Sequence, residues 1–218
     1  MVLMARVFAS MLSMDYACLG ETVNALECAK VDALHFDVMD GNYVPNITYG
    51  APLIKSLRAS SKLFFDSHLM ISKPDAYVKD FAEAGSDLIV FHLETSKNPK
   101  KTIKSIHDFG VKAGICLNAR VSEKKALPFL QEIDFLLVMS VEAGFGGQKF
   151  MPSALKKIGI LRKKIDAESI SCGLAVDGGI NAETGALAVN AGADVLISGS
   201  YILKNANLNR AVESLKKL

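Results

Sequence analysis

The sequence shows no strong excess of charge, no long apolar run and no leader-like start. Its 218 residues include 25 Lys and Arg against 23 Asp and Glu, a formal net charge of +2. That balance gives no electrostatic reason to expect nucleic acid or an anionic membrane as a partner. No apolar run approaches the roughly 18–20 residues that a membrane helix needs. The first residues lack a basic segment followed by an apolar core, so we expect no secretory signal.

The cysteines do not form a recognisable metal or redox pair. The chain has four of them and no CxxC motif, at Cys18, Cys28, Cys116 and Cys172. In a chain that is not secreted they are expected to be free, largely buried thiols. Half of the residues are hydrophobic, enough for a sizeable core. A cytoplasmic protein without a membrane anchor is therefore the first expectation.

Short apolar runs alternate with segments of helical period along the whole chain, as in βα units around a parallel sheet. Strands are predicted at 7–11, 33–38, 63–68, 88–92, 112–117, 135–139, 173–176 and 195–198. Helices are predicted at 16–29, 51–60, 75–84, 100–109, 123–131, 154–165, 182–190 and 208–218.

The positions of the glycine-rich turns favour a closed barrel over an open sheet. A doubly wound sheet usually has one glycine-rich fingerprint after its first strand, and residues 11–14 offer none. Here such turns fall late, at 144–147, 178–179 and 199, where barrels commonly bind phosphate. We therefore predict an α/β fold, a single-domain TIM (β/α)8 barrel over residues 1–218.

Polar side chains occur near the ends of the second, third and seventh predicted strands. His35 and Asp37 are two residues apart, so both point to one side of their strand. His68 ends the third strand and Asp177 follows the seventh. Active sites of such barrels lie at these strand ends. Two imidazoles and two carboxylates that face the axis suit one divalent ion, such as Zn²⁺, Fe²⁺, Mn²⁺ or Co²⁺.

For each of these residues alone, a structural role is the simpler interpretation. An inward His is usually hydrogen-bonded in the core, and Asp-Gly-Gly is usually a turn. Two buried carboxylates in one cluster, however, are costly without a cation or a shared proton. The joint functional interpretation is therefore favoured.

Asp37 and Asp177 are predicted to approach a central ligand from different sides. They lie on the second and seventh strands, which the eighth and first strands separate around the barrel. One carboxylate could take a proton from a carbon next to a carbonyl, and the other could return one on the opposite face. A metal ion near the carbonyl and the neighbouring hydroxyl would stabilise the enediolate between these steps.

Two other enzyme classes fit less well. A Schiff-base aldolase needs a lysine late on a strand, whereas Lys112 opens its strand. An NAD-dependent enzyme needs an early GxGxxG after the first strand, and none is present there.

The motifs resemble those of the ribulose-phosphate 3-epimerase family over nearly the whole chain, in both order and spacing. The matching stretches are 10–13, 35–41, 44–46, 68–70, 144–148, 176–179 and 199–200. The residues at 92–94 and Glu142 also match the family, but they contribute less to the resemblance.

The resemblance implies interconversion of D-ribulose 5-phosphate and D-xylulose 5-phosphate in the pentose phosphate pathway. It assigns Asp37 as the proton acceptor and Asp177 as the donor, with roles exchanged in the reverse reaction. It implies one divalent metal held by His35, Asp37, His68 and Asp177. The implied substrate-binding residues are Ser10, His68, Gly144, Phe145, Gly146, Gly147, Asp177, Gly178, Gly179, Gly199 and Ser200. Met39, Met70 and Met139 would line the pocket, although core packing explains them equally well.

Some residues depart from the family pattern, and some alternatives stay open. Ala9, Asn42, Ala143 and Ala175 stand where other residues are usual. Loss of a proline at 143 is expected to loosen the phosphate loop. Ala175 is expected to leave Asp177 without a supporting partner.

The alternative functions are an allulose-6-phosphate 3-epimerase and a non-catalytic metal-binding barrel. The expected partners are a sugar phosphate and further copies of the chain, and His107 and Cys116 have no assigned role.

Overall fold

The computed structural model describes residues 5–218, which form a closed barrel of eight parallel strands, each paired with its neighbours in chain order. The strands are β1 (Arg6–Ser10), β2 (Ala33–Met39), β3 (Phe64–Met70), β4 (Leu88–His92), β5 (Lys112–Leu117), β6 (Phe135–Met139), β7 (Gly173–Asp177) and β8 (Val195–Ser198). The predicted TIM-barrel fold is confirmed. The start of the predicted domain, residues 1–4, lies outside the described residues.

The α-helices surround the barrel. They are α1 (Leu19–Cys28), α2 (Ala51–Arg58), α3 (Val78–Glu83), α4 (Pro99–Asp108), α5 (Ser153–Ala167), α6 (Ala182–Ala191), α7 (Ser200–Leu203) and α8 (Leu208–Lys216). Short 3₁₀ turns occupy Met11–Ser13, Tyr16–Cys18, Pro74–Ala76, Leu93–Thr95, Glu123–Lys125 and Leu127–Phe129. Within residues 5–218, none of the helices has the length and apolar character needed to cross a bilayer.

The helix predicted at 123–131 is wrong. The segment forms two separate 3₁₀ turns, Glu123–Lys125 and Leu127–Phe129. Pro128 lacks a backbone N–H and restricts the residue before it, so an α-helix cannot run through this position without a break. The short helix α7 was not predicted, because four residues show no helical period.

The strands separate two layers of side chains. Leu34, Phe36 and Val38 of β2 pack outward in the core that the helices cover. Ala33, His35 and Asp37 point to the inside, because side chains alternate along a strand. Apolar side chains such as Phe8 fill the lower interior. The polar inward residues therefore lie toward the C-terminal ends of the strands.

The prediction for the cysteines is only partly correct. All four are free, as expected, but Cys18 and Cys28 are exposed whereas Cys116 and Cys172 are buried.

Candidate active site

Strands β2, β3 and β7 bring the four candidate metal ligands together. The register pairs Asp37 with His68 across β2 and β3, and Asp177 ends β7. One donor atom from each of His35, Asp37, His68 and Asp177 lies within 4.8 Å of the others. The three residues from β2 and β3 are almost completely buried. The structure thus places both aspartates and both histidines on the inside of one barrel end.

The donor atoms lie close enough together to bind one cation. His35 Nε2 and His68 Nδ1 each lie 3.3 Å from Asp37 Oδ1. His35 Nε2 is buried and has no hydrogen-bond partner among residues 5–218. A buried nitrogen without a partner is costly, and imidazole and carboxylate donors are those that a borderline divalent ion prefers. The residues present therefore fit a divalent metal ion.

Asp66 fixes the orientation of His35. The β2–β3 register places Asp66 beside His35, and His35 Nδ1 lies 2.6 Å from Asp66 Oδ2. A proton on Nδ1 donates to this carboxylate, which leaves Nε2 directed at the cluster. Metal-binding histidines commonly donate their second N–H to a carboxylate in this way. This role was not predicted from the sequence, although Asp66 lies two residues before His68 and must share its side of β3.

The electrostatics of the cluster place a proton on His35. Burial acts to lower the pKa of His35, but the carboxylates of Asp37 and Asp66 raise it well above its usual value. Burial likewise acts to raise the pKa of Asp37, yet the neighbouring His35 lowers it overall. The cluster therefore attracts positive charge, and a metal ion would compete with this proton.

Asp177 has the opposite protonation tendency to Asp37. Burial and the negative charge of Asp37 raise the pKa of Asp177 to about 7. Its backbone is held by Ser140, whose N–H and hydroxyl donate to the Asp177 carbonyl at 2.7 and 2.8 Å. Two carboxylates whose pKa values are pushed apart can act as a base and an acid at the same pH.

A cavity opens above the cluster, and both aspartates line it. Ser10 also lines it and donates from Oγ to Asp37 Oδ2 at 2.8 Å. Its wall includes Met39, Met70 and Met139, as expected if they line the pocket. The predicted phosphate-binding residues on the wall are Gly144, Phe145, Gly146, Gly147, Gly178, Gly179, Gly199 and Ser200. His35 and His68 are fully buried and do not belong to the lining, so His68 is placed in the cluster rather than on the wall.

The loop after β7 packs too closely at Gly179 for a larger side chain. At Gly179, where φ is +65°, an added Cβ would lie 2.7 Å from the Phe150 nitrogen and 2.8 Å from the Gln148 carbonyl oxygen. The loop after β6 is also tied to the loop after β2, because Asn46 Nδ2 donates to the Gly144 carbonyl at 2.9 Å. These contacts join the loops that follow β2, β6 and β7.

Two of the backbone amides at the start of α6 already have a partner within the protein. The Asn181 side chain accepts from the backbone N–H of Glu183 and of Thr184, both at 2.9 Å. This cap satisfies donors that could otherwise face an anion.

The departures from the family pattern have local structural consequences. The N–H of Ala143, which a proline would lack, donates to Asn118 Oδ1 at 3.3 Å and so offsets part of the expected loosening. Ala175 is fully buried and pairs in register with Leu137 and Val195, so its side offers no donor to Asp177. Ala9 is fully buried in the core.

Asn42 and the two residues without a predicted role lie away from the cavity lining. Asn42 completes a turn in which its N–H donates to Asp40 Oδ1 at 2.9 Å. Cys116 is buried beside His68 and His92, away from the cavity mouth. His107 is exposed and pairs with Asp134 at 2.9 Å.

The closed βα barrel, with two aspartates and glycine-rich loops around one cavity at its C-terminal end, has the architecture of TIM-barrel enzymes. A model of the ribulose-phosphate 3 epimerase family matches residues 6–203. The chain therefore belongs to that family, which confirms the resemblance and the prediction of an isomerase that acts on carbohydrates.

Individual relatives agree over nearly full length. The chain is 42% identical over 208 residues to the ribulose-phosphate 3-epimerase of Mycobacterium leprae, covering 95% of this chain and 92% of that protein. It is 38% identical over 214 residues to the Bacillus subtilis enzyme of the same name, covering 98% and 99%. Among solved structures, KGPDC from Streptococcus mutans shares 16% identity with a TM-score of 0.72, covering 98% and 96%. That last likeness shows the fold alone.

Proposed function

We propose that the chain is a divalent-metal-dependent epimerase that interconverts D-ribulose 5-phosphate and D-xylulose 5-phosphate at C3. One observation carries this proposal: Asp37 and Asp177 face one cavity with pKa values shifted in opposite directions. Inversion next to a carbonyl needs both a base and an acid. Family membership supplies the substrate class.

The two aspartates divide the proton transfer between them. Asp37 is ionised and accepts the C3 proton of ribulose 5-phosphate, while Ser10 Oγ holds its Oδ2 in place. Asp177, with a pKa of about 7, is partly protonated at neutral pH, and its protonated form delivers a proton to the opposite face of C3. In the reverse direction the roles exchange.

The remaining site residues bind and orient. His35, Asp37, His68 and Asp177 would hold the metal ion, which when bound supplies positive charge beside the substrate's carbonyl and hydroxyl oxygens. Backbone amides of the glycine-rich loops would hold the phosphate group. Met39, Met70 and Met139 narrow the cavity with apolar surface and so limit access of water.

The wider setting is also proposed. We assign the reaction to the pentose phosphate pathway and treat residues 1–218 as one catalytic domain. A cytoplasmic location is supported by the rice relative, 39% identical, whose name describes a cytoplasmic isoform. The homo-oligomer expected from the sequence stays a prediction.

The proposal is tested by following deuterium uptake at C3 of ribulose 5-phosphate in heavy water. Wild type should exchange and epimerise, whereas Asp37→Asn should lose roughly 10²–10⁴-fold in rate. Asp80→Asn, at an exposed position of α3, is the control and should match wild type. Exchange no faster in wild type than in Asp37→Asn would overturn the proposal. A higher kcat/KM for allulose 6-phosphate would instead support the six-carbon alternative, and metal binding without any turnover would support the non-catalytic one.

A further inference from the structure

A chain of hydrogen bonds leads outward from the candidate metal cluster. His68 directs Nδ1 at Asp37, and its other ring nitrogen, Nε2, lies 2.9 Å from Nε2 of His92. Nδ1 of His92 lies 2.8 Å from the Tyr43 hydroxyl oxygen. That oxygen lies 2.7 Å from Oε1 of Glu94. His68, His92 and Tyr43 thus connect the cluster to the partly exposed carboxylate of Glu94.

The barrel itself brings the two imidazoles together. The register of β3 and β4 pairs His68 with Val90, and His92 lies two residues beyond Val90 on the same side of β4. Both histidines are fully buried. Each ring nitrogen of this pair therefore needs a partner, either a protein group or a bound ion.

The Tyr43 hydroxyl fixes the direction of each proton in the chain. A phenol has one proton to donate and two lone pairs. Asn118 Nδ2 donates to the oxygen at 3.2 Å, while the Glu94 carboxylate can only accept, so the phenol proton points to Glu94. The second lone pair then faces His92, whose Nδ1 must carry the proton.

The same count of protons and lone pairs determines which nitrogen of His68 is protonated. A neutral His92 with its proton on Nδ1 accepts at Nε2, so the proton between the two imidazoles belongs to His68 Nε2. His68 Nδ1 is then left with a free lone pair directed at the cluster. If His92 instead carried its proton on Nε2, the phenol proton would have to point to His92 Nδ1. The phenol oxygen would then lie 2.7 Å from a carboxylate oxygen of Glu94 with no proton between them.

The charge of Glu94 agrees with this order. Burial acts to raise the pKa of Glu94, but the neighbouring His92 and Tyr43 lower it below its usual value. Glu94 is therefore a carboxylate at neutral pH, which is the form that the proton count requires.

We propose that His92 and Tyr43 are positioning residues, which hold His68 in its Nε2–H form and so leave Nδ1 free to bind the metal ion. Metal-binding histidines generally need such a partner for the second nitrogen. This role rests on the proposed function for the metal ion, whereas the proton order is a property of the metal-free protein. An experiment can therefore contradict the metal dependence without contradicting the proton order, and the reverse.

The proton order is measured first, by ¹⁵N NMR of ring nitrogens in metal-free protein. The chain has only four histidines, so each can be assigned by single substitution. We expect His68 to be protonated on Nε2 and His92 on Nδ1. Protonation of His68 on Nδ1 would overturn the proposal.

Variants of His92 then separate positioning from simple packing. His92→Leu removes the acceptor, so we expect the His68 proton to move to Nδ1 and the affinity for Zn²⁺ or Co²⁺ to fall roughly 10–100-fold. His92→Gln keeps an acceptor oxygen and should restore most of that affinity. Unchanged affinity and tautomer in His92→Leu would overturn the proposal.

Tyr43→Phe tests the outer part of the chain. Glu94 Oε1 lies 3.6 Å from His92 Nδ1 and can take over part of the lost contact, so we expect a smaller fall than for His92→Leu. Tyr77→Phe, at an exposed residue, is the matched control and should bind metal as wild type does. An equal effect of both tyrosine variants would overturn the role of Tyr43.

Two further results have defined meanings. A wild type with the expected tautomers that binds no divalent ion would overturn the proposed metal dependence but support the proton order. His68, His92 and Cys116 also offer donor atoms within 4.8 Å of one another. Uptake of a second ion that Cys116→Ser abolishes would overturn the hydrogen bond between the two histidines, because the ion would replace its proton.

Discussion

His35 and Asp66 are joined inside the barrel by a contact of 2.6 Å between Nδ1 and Oδ2, and both side chains are fully buried. This contact determines which nitrogen of His35 faces the cluster. It also explains why a buried carboxylate lies beneath the cavity without lining it.

Asp66→Asn is expected to weaken metal binding by roughly 10–100-fold. An amide N–H directed at His35 Nδ1 would move the imidazole proton to Nε2, which is the atom that points at the cluster. Titration with Zn²⁺ or Co²⁺ measures the change. Asp108→Asn, whose carboxylate pairs with Lys104 on the surface, is the control, and equal affinities for both variants would show that Asp66 does not orient His35.

The pH dependence of stability should reveal Asp177 in metal-free protein. Its pKa is raised from 3.8 to about 7 in the folded state, so the folded chain binds this proton more tightly than the unfolded chain. The stabilisation is complete below about pH 4 and is lost as the pH rises through 7. The amide of Asp177→Asn does not ionise, so this variant lacks that pH dependence.

The melting temperature of Asp177→Asn relative to wild type should therefore rise between pH 4 and pH 8 in the presence of a chelator. Thermal melts of the two proteins at several pH values measure this difference. A difference that does not change with pH would contradict the assignment of a raised pKa to Asp177.

Gly179→Ala should disturb the phosphate-binding loops. The added methyl group would clash with the backbone at Phe150 and Gln148, so we expect a higher KM for ribulose 5-phosphate and a loss of stability of about 1–3 kcal/mol. Gly110→Ala is the matched control, because its φ is +74° but an added Cβ meets nothing within 4 Å. Similar KM values for the two variants would show that loop packing at Gly179 does not serve binding.

The barrel could be predicted from the sequence because its signals are local. The strands β4, β5, β6 and β8 have the predicted bounds, since apolar runs bounded by turns define them. Alternation along β2 predicted that His35 and Asp37 share a side. The same rule, applied to β3, would have placed Asp66 with His68.

The outer hydrogen-bond chain could not be predicted in the same way. Tyr43 reaches His92 from the loop after β2, across 49 positions of sequence, and no periodicity describes such a loop. The helix predicted at 123–131 failed because Pro128 outweighs the helical tendency of its neighbours.

The most direct test of the two-aspartate mechanism compares deuterium uptake from each sugar in metal-saturated Asp37→Asn and Asp177→Asn. Asp177→Asn keeps the base for ribulose 5-phosphate, so it should exchange C3 of that sugar without forming xylulose 5-phosphate. Asp37→Asn should show the mirror result, exchange of xylulose 5-phosphate alone. Exchange of both sugars by either variant would mean that one residue serves both faces of C3, and the account of two opposed aspartates would be contradicted.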